Sequence, residues 1–92
     1  MRQERAQTIA LNALGWLVQN DELLPVFLGS SGASIEDLRQ NASDAAFQAS
    51  VLDFLLMDDA WVIAACDAQD IAHDQLYVAR HSLPGAEQVH WT

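Results

Sequence analysis

The chain has 92 residues, of which 51% are hydrophobic, and its 13 acidic residues against four basic ones give a formal net charge of −9. A chain of this length predicts one small domain. Its negative charge repels phosphate groups, so neither nucleic acid nor an anionic membrane surface is an expected partner, whereas a basic protein is. The hydrophobic fraction slightly exceeds the roughly 45 to 50% usual for soluble domains, which favours burial of some apolar surface in an interface.

Cysteine usage and the first residues predict a cytoplasmic protein. Cys66 is the single cysteine, so no intramolecular disulfide or cysteine-rich zinc module can form, and a reducing compartment fits. The longest apolar run, 60–66, has seven residues, against the roughly 20 needed to span a bilayer. The opening "MRQERAQTIALNALGWL" mixes charged and apolar positions at helical spacing and is unlike a secretory signal.

The first quarter of the chain predicts two helices. Residues 4–19 place their apolar side chains within an arc of about 200°, as an amphipathic helix does. Asn20 or Asp21 is expected to cap a short second helix through "DELLPVFL", whose acidic first turn favours a helix start. Pro25 is expected to strain that first turn, and Gly29 to end the helix.

The next segment predicts a linker and then two more helices. We interpret "GSSGAS" as the linker, after which Ser34 and Asp37 have the spacing of a capping box that opens "IEDLRQN". Ser43 is expected to cap the fourth helix, "DAAFQASVLDFLLM". The apolar residues of this helix cover an arc of about 200°, which indicates a central core helix and leaves Asp53 on its polar side.

The remaining residues predict a buried helix, a final helix and a tail. "AWVIAACDA" is apolar nearly all round and is expected to be buried between neighbours. The last helix is expected through "HDQLYVARHSL" and to stop at "LPG". Together the patterns predict an all-α fold, a compact bundle of five to six short helices with steep crossing angles. One domain would cover residues 1–85, followed by a C-terminal tail at 86–92.

Asp58 and Asp59 form an adjacent pair of carboxylates between two apolar runs. Either they form a two-carboxylate site or they mark a helix boundary. Consecutive side chains on a helix diverge by about 100°, so the two do not naturally converge on one proton or metal ion. An aspartate at an N-cap accepts a backbone N–H, and a second acidic group in the first turn interacts well with the helix dipole. We therefore expect a cap rather than a catalytic pair.

One cluster has metal-ligand chemistry, and it contains Cys66, Asp70, His73, Asp74 and His81. If both histidines lie on one helix, eight residues separate them by about 12 Å, too far to share one ion. His73 with a neighbouring aspartate lacks further ligands, so we expect no metal site and no cofactor. Cys66 is expected to be an inert core thiol. A small-molecule or metal sensor using residues 66–81 is the alternative function that this cluster leaves open.

Other residues suggest an interaction surface rather than catalysis. Catalytic and nucleotide-binding motifs are absent from the sequence, so we expect no enzyme. Trp16 at the border of the first apolar arc and Trp91 in the tail have the placement of interface anchors, whereas Trp61 is expected in the core. His73, Tyr77 and Arg80, at i, i+4 and i+7, would share one face of the last helix, either a recognition face or its solvated side.

These observations favour a non-catalytic, acidic protein-interaction module. Its partner is unknown and is expected to be basic. The apolar surplus further predicts a symmetric homodimer through the first helix, with Trp16 at the rim of the interface.

The order of the segments resembles that of a family of short bacterial proteins known as a domain of unknown function. The resemblance extends over residues 6–85 or so, and its most specific parts are "ALGWL" and "VLDFLLMDDA". It implies a small, all-helical, cytoplasmic protein. It implies no particular activity, ligand or catalytic residue.

Overall fold

The computed structural model describes residues 1–83, which form six α-helices and no strand. The predicted all-α fold is confirmed for this part of the chain, and the predicted tail at 86–92 lies outside it. In chain order the helices are α1 (Gln3–Val18), α2 (Leu24–Ser31), α3 (Ile35–Asn41), α4 (Ala45–Leu55), α5 (Asp59–Gln69) and α6 (Gln75–His81).

The first helix lies at the centre of the bundle. It packs against α4, α5 and α6, because its apolar residues recur at helical spacing and form one continuous face. The buried residues of this face are Ala6, Ile9, Ala10, Ala13, Leu14 and Leu17. Several are alanines, whose small side chains permit a close approach between helices. The apolar arc of α1 is therefore used within the monomer.

Aromatic side chains join α2 and α5 to α4. Phe27 of α2 is buried and meets Phe54 edge-on, with ring centroids 5.1 Å apart. On α4, Phe54 also stacks on Trp61 of α5, with centroids 4.9 Å apart and an interplanar angle of 22°. Such pairs add about 0.5 to 1.5 kcal/mol each to the burial of their area. The position of Trp61 is therefore fixed by the core.

Polar side chains start three of the helices. Ser34 and Asp37 form the predicted capping box at the start of α3. Asp58 is the N-cap of α5, where its Oδ1 accepts a hydrogen bond of 2.8 Å from the backbone N–H of Ala60, so the capping prediction is confirmed. The predicted cap at Ser43 is wrong, because Asp44 accepts the N–H of Phe47 and begins α4 one residue later.

The second helix differs from the prediction at both ends. Pro25 lies in its first turn, where a missing N–H leaves no hydrogen bond unmade and the fixed φ suits a helix; the expected strain is therefore absent there. Gly29 does not end the helix, which continues to Ser31 and stops at Gly32 with φ 76°. Most of the "GSSG" segment is thus helical, and the linker before α3 is short.

The fifth helix lies on the surface, contrary to prediction. Ala65 and Cys66 are its buried residues, while Ile63 is exposed and the alanines at 60, 64 and 68 face solvent. Alanines make a sequence appear apolar on every face but need no burial, since each offers little apolar area. The expectation that α5 is enclosed by its neighbours was therefore wrong.

Candidate functional site

The residues predicted to mark an interaction surface do not gather in one place. Trp16 is half-buried on α1 and Tyr77 is exposed on α6. His73 precedes α6 rather than lying on it, and Arg80 is only 6% exposed. The predicted common face of His73, Tyr77 and Arg80 is therefore wrong. Trp91 lies outside the described residues.

The side chains of the predicted sensor region are paired or dispersed. His73 Nε2 lies 2.8 Å from Oδ1 of Asp67, an exposed pair of neighbouring loop and helix residues. Cys66 is fully buried, and this burial raises the pKa of its thiol. The backbone hydrogen bond with Leu76 lowers the pKa, whereas the negative charges of Asp67 and Asp74 raise it further. Within residues 1–83, no three His, Cys, Asp or Glu side chains are placed to hold one metal ion.

A groove runs along the surface between α1 and α5, and Trp16 stands in its middle. Three adjoining depressions, of about 410, 310 and 380 Å³, share the side chain of Trp16. We call this surface the Trp16 groove. It is lined by Leu11, Gly15, Trp16 and Gln19 from the α1 side, by Trp61, Ala64 and Ala68 from α5, and at one end by Asn20, Asp21 and Glu22.

Small residues keep the Trp16 groove open. A Cβ added to Gly15 would meet no atom within 4 Å, so nothing within residues 1–83 requires glycine there. An exposed glycine inside a helix costs about 0.5 to 1 kcal/mol relative to alanine. Opposite it, Ala64 and Ala68 are exposed, one turn apart on α5. A side chain of a partner could approach both helices closely over these residues.

Hydrogen bonds fix the two walls of the groove. Gln69 of α5 donates its side-chain amide to the carbonyl of Ile9, at 3.2 Å, and so ties α5 to the middle of α1. At the other end the side-chain oxygen of Asn20 accepts the backbone N–H groups of Glu22, at 3.2 Å, and Leu23, at 3.0 Å. These two bonds fix the shape of the turn that carries the acidic end of the groove.

The acidic end of the groove carries two negative charges, those of Asp21 and Glu22. Asp21 and Glu22 are both exposed. Within residues 1–83, the carboxylates that form ion pairs are those of Asp53 and Asp67. Neither Asp21 nor Glu22 forms an ion pair with a basic side chain of residues 1–83. A positive group that entered the groove would meet them directly.

Sequence reasoning missed one ion pair outside the groove and the groove itself. The sequence places Asp53 on a polar helix face, yet Asp53 pairs with Arg80, 27 positions away in the chain. The groove itself had a partial signal, since Ala60, Ala64 and Ala68 recur every four residues beside Trp61. Small residues at helical spacing mark a surface that a neighbour can approach, although they do not say which neighbour.

A model described as "Protein of unknown function (DUF3572)" matches residues 3–86. The chain belongs to this family. The resemblance inferred from the order of the segments is thus confirmed for DUF3572. The chain matches no curated protein and no solved structure. No helix within residues 1–83 is long and apolar enough to cross a membrane.

Proposed function

We propose that this DUF3572 protein is a non-catalytic interaction module that binds a basic segment of a partner protein in the Trp16 groove. The observation that carries the proposal is the joining of three depressions around one half-buried tryptophan. Tryptophans in such positions are common anchors of protein interfaces.

The charge of the chain supports a basic partner. A net charge of −9 steers positively charged proteins toward it. Asp21 and Glu22 place part of that charge at the end of the groove, next to Trp16. Charged groups at the rim of an interface mainly raise the association rate, whereas the buried aromatic anchor determines how long the complex lasts.

The chemistry of the groove supports binding rather than catalysis. Its walls offer indole rings, aliphatic side chains, amides and carboxylates. Within the described residues it brings together no nucleophile with a neighbouring base, the arrangement that covalent catalysis needs. We place the interaction in the cytoplasm, which agrees with a single cysteine that is buried as a free thiol.

Site-specific photo-crosslinking in the native host cell tests the proposal. A photoreactive residue in place of Gln19, an exposed residue of the groove, should form a crosslink to a partner peptide that carries a net positive charge. Raising the salt concentration should weaken capture of the same partner by the purified protein. A partner peptide that is acidic or neutral, or a complex insensitive to salt, would contradict the proposal.

A matched pair of variants assigns the interaction to the groove. Gly15→Gln places a long side chain in the open space over the groove and, by removing a helical glycine, should not lower stability. Ser50→Gln makes a similar change at an exposed position of α4. Gly15→Gln should lose the partner and Ser50→Gln should keep it, while circular dichroism confirms that both are folded. Equal binding by the two variants would exclude the groove.

A further inference from the structure

One of the three depressions of the Trp16 groove has two tryptophans and a carboxylate among its walls. It is lined by Trp16, Asn20, Glu22, Leu23, Trp61 and Ala64 and has a volume of about 310 Å³. Ligand sites for whole small molecules occupy about 300 to 1,000 Å³. The depression lies at the lower end of this range, so it has room for one side chain and not for a large cofactor.

The geometry restricts how a ligand can meet the two indoles. Phe54 stacks on one face of the Trp61 ring at 4.9 Å, so a ligand in the depression can reach only the other face or the edge. Trp16 is half-buried against the core, which also limits its movement. Both rings are therefore held in place before any ligand arrives, which reduces the entropy lost on binding.

We propose that this depression receives the guanidinium group of an arginine in the partner, with the indoles of Trp16 and Trp61 as walls and the Glu22 carboxylate as counter-charge. The inference rests on the proposed function and specifies the residue that the groove recognises. The site is assigned to a cation because the Glu22 carboxylate forms no ion pair within residues 1–83 and therefore favours a positive group.

Three alternatives fit the walls less well. An aliphatic side chain would fill the space, but it would displace the water that hydrates the Glu22 carboxylate and offer no hydrogen bond in its place. A lysine ammonium is more strongly hydrated than a guanidinium and lacks a planar face. An acidic group would be repelled by the like charge of Glu22. An arginine, in contrast, can stack on an indole and donate hydrogen bonds to a carboxylate at the same time.

Nuclear magnetic resonance of the full chain, labelled with ¹⁵N at the tryptophan indoles, tests the inference. The probe is N-acetyl-arginine N-methylamide, compared with its lysine and citrulline counterparts. The arginine probe should shift the indole signals of Trp16 and Trp61. Citrulline has a similar shape without the charge and should bind at least about tenfold more weakly, and lysine about threefold more weakly.

Two charge-matched variants show whether Glu22 is the counter-charge. Glu22→Gln should weaken the arginine probe about threefold or more. Glu4→Gln removes the same charge near the other end of α1 and should leave binding unchanged. Equal binding of arginine and citrulline, or equal effects of the two variants, would overturn the inference.

The two proposals can fail separately. If a basic partner crosslinks through the groove but the arginine probe shifts neither indole, the arginine site is wrong and the interaction module stands. Alternatively, the probe binds as expected, but the crosslinked partner is not basic or binds the Gly15→Gln variant as well as the wild type. In that case the arginine site stands and the proposed function is wrong.

Discussion

The guanidinium Nε of Arg80 in α6 donates a hydrogen bond of 2.6 Å to Oδ1 of Asp53 in α4. The Arg80 side chain is 7% exposed and that of Asp53 is 50% exposed. A buried cation is thus held by a carboxylate that reaches in from the surface. Arg80 Nη1 is also buried, and no hydrogen-bond partner for it lies within the described residues. Within the described residues, the pair with Asp53 is therefore the one ion pair that offsets the desolvation of Arg80.

Removing Asp53 should destabilise the fold more than removing the other paired aspartate. Asp53→Ala leaves a buried guanidinium without its carboxylate, which costs several kcal/mol for a fully buried pair; since Asp53 is half exposed, we expect about 1 to 3 kcal/mol. Asp67→Ala breaks an exposed pair with His73 and should cost about 0 to 1 kcal/mol. Urea unfolding followed by circular dichroism measures both.

A double mutant separates the lost contact from the stranded charge. Arg80→Met keeps an apolar stem of similar length and removes the cation. Added to Asp53→Ala, it should recover part of the lost stability, because a buried unpaired charge is then no longer present. If the double mutant is as unstable as the sum of the two single mutants, the two residues act independently and the interpretation is wrong.

The Asp53–Arg80 pair also shows what the sequence did not reveal. A cap at one of Asp58 and Asp59 and the capping box of Ser34 and Asp37 were predicted correctly, because these hydrogen bonds join residues two or three positions apart. The partner of Arg80 is 27 positions away. Periodicity on one helix assigns a residue to a face but does not say which other helix covers that face.

The same limit explains the error for α5 and the missed groove. The apolar composition of α5 does not indicate which of its sides is buried, because its alanines are compatible with either burial or exposure. The side of α5 that faces the core is set by the stacking of Trp61 on the ring of Phe54. The groove depends on residues of α1 and α5 that are about 50 positions apart, so only the tertiary structure brings Trp16 and Ala64 together.

The two adjacent aspartates at the start of α5 should differ in their contribution to stability. Asp58 is the N-cap and accepts a backbone N–H, so Asp58→Ala should lower the free energy of unfolding by about 0.5 to 2 kcal/mol. Asp59 lies in the first turn and interacts only with the helix dipole, for which we expect about 0.3 to 1 kcal/mol. Thermal unfolding of both variants decides it, and a larger loss for Asp59→Ala would contradict the assignment of the cap.

Glycine in place of Asp70, at the C-terminal end of α5, should stabilise the fold. Asp70 has φ 56° and closes the helix in the left-handed region, with the N–H of Ile71 donating to the carbonyl of Cys66 at 3.1 Å. L-residues pay about 1 to 2 kcal/mol in this region, aspartate among the least. Asp70→Gly should therefore raise stability by about 0.5 to 1 kcal/mol.

Gly32 provides the reverse substitution as a control. It ends α2 with φ 76°, and a Cβ there would meet no atom, so any cost of Gly32→Ala comes from the backbone alone. We expect a loss of about 1 kcal/mol. A gain at Gly32, or a loss with Asp70→Gly, in the midpoint of urea unfolding would mean that the left-handed turns are not the cause.

Cys66 should make the fold less stable in alkaline solution. Burial raises the pKa of its thiol in the folded protein, so the folded state keeps the proton at a pH where the unfolded state loses it. The stabilisation is present below the unfolded pKa of about 8.5 and is lost as the pH rises through the folded value. Unfolding free energies measured from pH 7 to 10 should fall more steeply for the wild type than for Cys66→Ala. Parallel profiles would show that Cys66 does not contribute.

Self-association remains a prediction from the composition. The fold, however, indicates a different surface for the interface than the buried face of the first helix. The buried face of α1 is covered by α4, α5 and α6, so a dimer needs another surface. Val18 and Ile35, 43% and 49% exposed, lie at an apolar depression of about 250 Å³ between α1 and α3. Positions 16 and 18 of a helix point about 200° apart, so an interface at Val18 leaves the Trp16 groove free.

Light scattering after size exclusion tests this assignment. We expect the wild type at micromolar concentration to have twice the chain mass of 10.1 kDa, since two-fold dimers are the commonest soluble oligomers. Ile35→Glu should convert it to the monomer, because a charge placed in an apolar interface loses its hydration. Val26→Glu makes a similar change at an equally exposed position of α2 outside this depression and should leave the dimer intact. A wild-type mass of 10.1 kDa at all concentrations would exclude the dimer, whereas dissociation by Val26→Glu alone would move the interface to α2.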